Sequence, residues 1–282
     1  MKTESTKKGL FRRVRKQRLK TITILPSLIT ILNGLFGFAA IVVTSRGYFT
    51  LAGYLVLLAM IADMLDGRLA RISQNTSSFG GQLDSLCDVI SFGVAPAFLL
   101  LTVMESELTE WINYSDQNFI QRFIWVTVAA YLSCTVIRLA RFNVENEEDT
   151  TAHMNFDGLP TPAAAGVVVS LIILQQKNLE ILSVLSVMII FILPFITLGT
   201  AMLMVSRIRY PHVLNQYLKG KKPFSDLIKI LLLMAFVIWN LQAAMVLIFC
   251  GFALIGLGKW LYMKIPLLRL HPKFHPQTEQ NQ

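Results

Sequence analysis

Apolar runs long enough to cross a bilayer recur almost from end to end of the chain, and this restricts the fold more than any other feature. A spanning helix needs ~20 mostly apolar residues. Eight stretches reach or approach that length: 22–44, 49–70, 82–104, 122–141, 161–176, 181–205, 225–241 and 243–263. The fifth is short and opens on Pro160 and Pro162; the last two divide one long apolar stretch near Asn240-Leu241-Gln242. Inside lipid each backbone N–H and C=O must be satisfied within its own segment, so such runs are helices. The expected fold is all-α and polytopic, with about eight transmembrane helices. Loops of at most about 20 residues leave no room for a soluble domain between them. The chain divides into a basic segment (1–21), a membrane domain (22–265) and a polar tail (266–282).

The composition agrees. Hydrophobic residues make up 54% and charged residues 15%, against ~25% charged in soluble domains. That excludes a disordered chain and argues against a soluble enzyme. The net charge of +9 would point to nucleic acid in a soluble protein. Here topology explains it. With the N-terminus inside, 23 of the 26 Lys and Arg fall on the inner side, a strong positive-inside bias. Both termini are therefore expected in the cytoplasm. The outer loop 105–121 fits, with Glu105, Glu107, Glu110 and Asp116 and no base. Residues 7–20 interleave Leu10, Phe11, Val14 and Leu19 with basic residues, a pattern for a bilayer surface rich in anionic lipid, not for nucleic acid. No secretory signal is evident. Cys87, Cys134 and Cys250 lack a CxxC spacing and read as small buried hydrophobes. The four histidines are scattered and carry no assigned role, and no internal repeat is present.

Four aspartates break the apolar pattern. Asp63 and Asp66 lie three apart near the inner end of the second helix; Asp84 and Asp88 lie four apart at the start of the third. Both spacings put side chains on one helical face. Two antiparallel neighbours joined by about ten residues bring all four to one place at the cytoplasmic boundary. Four carboxylates near lipid repel one another and need a counter-charge. Arg68 and Arg71 are too few to supply it. One or two divalent cations held by oxygen would suffice, and without His or Cys ligands Mg²⁺ or Mn²⁺ is favoured over zinc. Gly67, Ala70, Gly80 and Gly81 leave room for a bulky group to approach the backbone, although small residues also serve helix packing.

The string Asp63-x2-Asp66-Gly67-x2-Ala70-Arg71-x8-Gly80-x3-Asp84-x3-Asp88 resembles, without departure, the signature of the CDP-alcohol phosphatidyltransferases. The resemblance implies metal-dependent transfer of a phosphatidyl group from a CDP-linked lipid to an alcohol, with release of CMP. It implies two ions, Mg²⁺ or Mn²⁺, held by Asp63, Asp66 and Asp84, with Asp88 both ligand and general base. It implies CDP-lipid contacts at Gly67, Ala70, Arg71 and Gly80. It also implies a nucleotide pocket bordered by Thr30 and Asn33 of the first helix, a segment that reads equally as a proline-kinked packing motif. A homodimer in a bacterial-type inner membrane is implied as well.

The metal signature does not name the alcohol; glycerol 3-phosphate, inositol or its phosphate, and choline are alternatives to serine. Three further strings, Ser91–Ala97, Arg138–Asn143 and Phe156–Ala163, resemble the serine-accepting branch of the family. That implies CDP-diacylglycerol and L-serine as substrates. Arg138 and Arg141 suit carboxylate and phosphate recognition, with Arg68, Asn143 and Asp157 as further candidates, but all three arginines are also ordinary inner-side flanking residues. The rival reading from another class is a divalent-cation transporter. The aspartates cluster at one surface instead of spanning the midplane, and there are no matched broken helices, which counts against it.

Overall fold

A computed structural model describes residues 26–73, 78–108, 114–148, 158–177, 183–208 and 240–264. The terminal segments 1–21 and 266–282 and the seventh expected span, 225–241 but for its last two residues, lie outside the described residues. Among the described residues every regular element is helical. Helix α1 is Pro26–Thr44, and the proline's fixed φ suits a first turn. A tight turn reverses the chain: Tyr48 N–H donates to Val43 C=O at 3.2 Å and Gly47 N–H to Thr44 C=O at 2.9 Å. This pair is a Schellman closure, which needs the positive φ of 80° at Gly47.

Helix α2 is Phe49–Ser73. The third span is one continuous helical rod in three parts: α3 (Ser78–Asp88), a π-helical stretch (Val89–Val94) and α4 (Ala95–Leu108). Helix α5, Tyr114–Glu148, is followed by α6 (Thr161–Gln175), α7 (Ser183–Val205) and α8 (Leu241–Lys264). Among the described residues, six helices are long and apolar enough to cross a membrane. The sixth expected run and the eighth are α7 and α8.

The fifth expected run is α6. At 15 residues it rises only ~22 Å, short of a ~30 Å hydrocarbon core. It does not need to face lipid. All but three of its residues are buried, enclosed by α2, α7 and α8. A β-carbon at Gly166 would collide with the ring of Phe249, so α8 rests directly on the α6 backbone. Outside this core the surface is apolar: Leu28, Leu35 and Phe38 on α1, Phe195 and Met202 on α7, and Leu247 and Leu254 on α8 are all exposed. Such a belt on several helices is tolerated in hydrocarbon and not in water. The protein is an integral membrane protein.

The real helices run past the hydropathy windows. The third span covers Phe79–Glu107 and the fourth Phe119–Val144, against expected limits of 82–104 and 122–141. Polar end turns continue the backbone ladder beyond the apolar core.

Candidate active site

The site is built where α1 begins, α2 ends and α3 begins. Carboxylate oxygens of Asp63, Asp66 and Asp84 lie within 4.8 Å of one another. Asp66 is buried; Asp63 and Asp84 are half-buried. Like charges at that separation cost on the order of 4 kcal/mol per pair at an effective dielectric near 20. Protein donors relieve this only in part: Thr30 and the Gly67 N–H stand by the Asp66 carboxylate, but Asp66 Oδ2 and Asp84 Oδ1 are both buried without a hydrogen-bond partner. Orphaned, converging, hard oxygen ligands are what an Mg²⁺ or Mn²⁺ ion requires, so the residues fit the metal that the sequence implies. Cys87 adjoins Asp88 in sequence, but its Sγ faces α1, 3.0 Å from where a Gly34 β-carbon would stand. No zinc-type thiolate joins the carboxylates.

Asp88 is one turn further along α3, buried, and within electrostatic reach of Asp63, Asp84 and Asp66. Its Oδ1 accepts a hydrogen bond from Asn33 Nδ2 at 2.9 Å. The structure thus divides the four aspartates: three converge as a cluster, and the fourth is held from α1. Thr30, one turn before Asn33, stands beside the Asp66 carboxylate, and its hydroxyl donates to Pro26 C=O at 3.0 Å.

The π-helical stretch locks α1 against α3. Ala95 N–H donates to Ile90 C=O, five residues back, so the ladder widens just after Asp88. Ser91 Oγ donates to Asn33 C=O at 2.9 Å. A β-carbon at Gly37 would lie 2.6 Å from Ser91 Cα, so only glycine permits this approach. Pro96 has no N–H to offer Phe92 C=O four residues back; the buried Tyr131 hydroxyl donates to that carbonyl at 2.9 Å instead. The irregularity is therefore braced from both sides. Gly93 and Pro96 within an apolar run were the only sequence hint of it.

Around the cluster, β-carbons at Gly67 and Gly81 would meet nothing within 4 Å. The helix faces there are open to a ligand rather than filled by packing. Gly80 is half-buried, and Ala70 and Arg71 follow one turn past Asp66 on α2. Arg68 is exposed, whereas Arg138 and Arg141 are half-buried on α5. Asn143 is tied into the site by a residue the motif skips: Ser85 Oγ donates to Asn143 Oδ1 at 2.9 Å. Nothing in the sequence marked Ser85 beyond its place between Asp84 and Asp88. Asp157 lies outside the described residues. The adjoining strap is fixed by Gly158 N–H to Ile208 C=O at 2.9 Å and Leu159 N–H to Leu203 C=O at 3.0 Å. Gly158 has φ 91° and its α-carbon faces Met204 C=O too closely for any side chain.

A helical membrane bundle with cation-ready carboxylates and open glycine faces at one end defines a class of membrane proteins equipped to bind phosphate-bearing molecules through a metal. The chain belongs to the CDP-alcohol phosphatidyltransferase family, whose model matches residues 23–206. The chain is 34% identical over 257 residues to a CDP-diacylglycerol–serine O-phosphatidyltransferase of Helicobacter pylori, covering 89% of this chain and 96% of that protein. It is 34% identical over 200 residues to an archaetidylserine synthase of Methanothermobacter thermautotrophicus, covering 70% and 73%. It is 34% identical over 165 residues to a CDP-diacylglycerol–serine O-phosphatidyltransferase of Saccharomyces cerevisiae, covering 54% of each.

Proposed function

We propose that the protein transfers the phosphatidyl group of CDP-diacylglycerol to the hydroxyl of L-serine, giving phosphatidylserine and CMP. The observation that carries this reading is the convergence of Asp63, Asp66 and Asp84, two of them with orphaned oxygens, next to a separately held Asp88. The relatives supply the acceptor: those from a bacterium, an archaeon and a yeast are all named for serine.

Asp63, Asp66 and Asp84 would hold one or two Mg²⁺ or Mn²⁺ ions, which when bound neutralise the pyrophosphate and stabilise departing CMP. The chain's own groups do the rest. Serine Oγ attacks the phosphorus that carries the diacylglycerol, and the bond from that phosphorus to the CMP oxygen breaks, with the electron pair leaving on CMP. Asp88 takes the serine hydroxyl proton, for which it must stand within hydrogen-bond reach of Oγ. Gly67 and Gly80 admit the lipid-linked phosphates close to the backbone, with Ala70 beside them, and Arg71 and Arg68 pair with phosphate. Thr30 and Asn33 border the nucleotide. Arg138 or Arg141 reads the serine carboxylate, with Asn143 beside it.

The basic bias of the inner loops supports a cytoplasmic site with both termini inside; the Helicobacter pylori relative, matched over 96% of its length, supports a bacterial-type cell membrane. The exposed apolar faces leave room for a homodimer within the bilayer. Purified protein in nanodiscs with CDP-diacylglycerol and Mn²⁺ tests the acceptor. L-Serine should drive CMP release. Release driven instead by glycerol 3-phosphate, an inositol or choline would reject serine. Metal flux into liposomes with no CMP release would favour transport.

A further inference from the structure

Asn33 is completely buried in the membrane domain, yet its amide is not satisfied as a structural amide would be. Nδ2 donates to Asp88 Oδ1 at 2.9 Å, while its own Oδ1 is buried without a hydrogen-bond partner. A buried acceptor left unpaired is costly, and an apolar side chain would fill the same space without that cost. Packing therefore does not explain the residue; its bond to Asp88 does. The backbone is held as tightly as the side chain. Ser91 Oγ clamps Asn33 C=O, and Gly37 permits that contact. The clamp comes from the π-helical stretch directly after Asp88, so one irregular segment fixes both partners of the Asn33–Asp88 bond.

We infer that Asn33 is a positioning residue for Asp88: by holding Oδ1 it turns the other carboxylate oxygen toward the alcohol that loses its proton, and Ser91 keeps Asn33 in place. A carboxylate that accepts a proton must present one oxygen in a fixed direction. A donor of fixed geometry on the opposite oxygen achieves this without competing for the proton, as outer partners do for metal ligands and catalytic bases. The role assigned here differs from that of a nucleotide contact, which would act on CDP-lipid affinity.

The inference rests on the phosphatidyl-transfer reading but not on serine, so rates are taken with whichever alcohol drives CMP release from the unaltered chain. Asn33→Ala should lower kcat roughly tenfold to a hundredfold. Its KM for CDP-diacylglycerol and its Mn²⁺ affinity, measured by calorimetry, should stay near those of the unaltered chain. Asn33→Asp keeps the shape, removes the donor and sets a charge against Asp88, and should lose at least as much. Ser91→Ala, which leaves both side chains of the pair intact, should show a smaller loss of the same kind. In an Asp88→Asn background, Asn33→Ala should cost nothing further, because its effect passes through Asp88. Full kcat in Asn33→Ala would overturn the inference. An equal loss in both backgrounds would do so too, as would a raised KM at unchanged kcat, which would leave Asn33 a nucleotide contact alone. Absence of CMP release from the unaltered chain with every alcohol would defeat the transfer reading itself.

Discussion

Buried polar side chains along the bundle and those at its aspartate end are satisfied in different ways. Away from that end, five buried hydroxyls bond back to their own helix, while the Tyr131 hydroxyl crosses to Phe92 C=O. Thr44 donates to Ala40 C=O, Thr135 to Tyr131 C=O, Ser170 to Val167 C=O, Thr197 to Leu193 C=O and Thr200 to Thr197 C=O. Each bond spans three or four positions and brings in no other helix. At the aspartate end Thr30 and Ser85 also bond back, to Pro26 and Gly81 C=O, but three bonds cross between helices: Asn33 to Asp88, Ser91 to Asn33 and Ser85 to Asn143, over 55, 58 and 58 positions. Beside them Asp66 Oδ2 and Asp84 Oδ1 are left without protein partners. A hydroxyl folded back on its own helix costs a bundle little and can sit anywhere. An orphaned buried carboxylate costs much more, and the orphans occur beside the cross-helix bonds, where α1, α2, α3 and α5 meet.

Substitutions at the two regions should therefore separate turnover from stability. The largest effect should come from Asp88→Asn, which keeps shape and removes the base. CMP release should fall by ~10²–10⁴, while CDP-diacylglycerol binding and the unfolding temperature stay close to the parent's. Near-normal turnover would remove Asp88 as base. Next come Asp66→Asn and Asp84→Asn. Metal at a hundred times its Kd should stabilise the unaltered chain by about 2.7 kcal/mol, and each variant should lose most of that gain in thermal unfolding with Mn²⁺. Gly158→Ala should cost on the order of 1–3 kcal/mol for its strained backbone, in addition to its collision with Met204 C=O. Thermal unfolding would show that loss even without metal. The smallest effect belongs to the mid-bundle: Thr197→Val should cost about 1 kcal/mol or less and leave turnover per folded molecule unchanged. A turnover defect in that variant would blur the distinction between the regions.

The sequence reached much of this because the relevant signals are periodic. Apolar runs of spanning length announce helices, and aspartates three and four apart announce a shared face. The convergence of Asp63, Asp66 and Asp84 follows from those two facts plus a short connection. Three things were not periodic and stayed hidden. The pairing of Asn33 with Asp88 is a tertiary contact between distant helices. The π-helical stretch depends on what Ser91 and Phe92 meet on α1 and α5, which composition does not record. The shortness of α6 is tolerable only because α2, α7 and α8 enclose it, and hydropathy counts residues without seeing neighbours. The spacing placed all four aspartates at one site; the structure brings Asp63, Asp66 and Asp84 within 4.8 Å of one another and sets Asp88 within electrostatic reach of all three, bonded to Asn33 of α1.

The central claim is that the clustered carboxylates hold the metal that makes phosphatidyl transfer to serine possible. Its most direct measurement follows serine-dependent CMP release in nanodiscs through chelation by EDTA and readdition of Mn²⁺, for the unaltered chain and for Asp84→Asn. The account predicts that release stops on chelation, returns with Mn²⁺ in the unaltered chain, and does not return in Asp84→Asn. Release that persists after complete chelation, or that Mn²⁺ restores equally in Asp84→Asn, would contradict it.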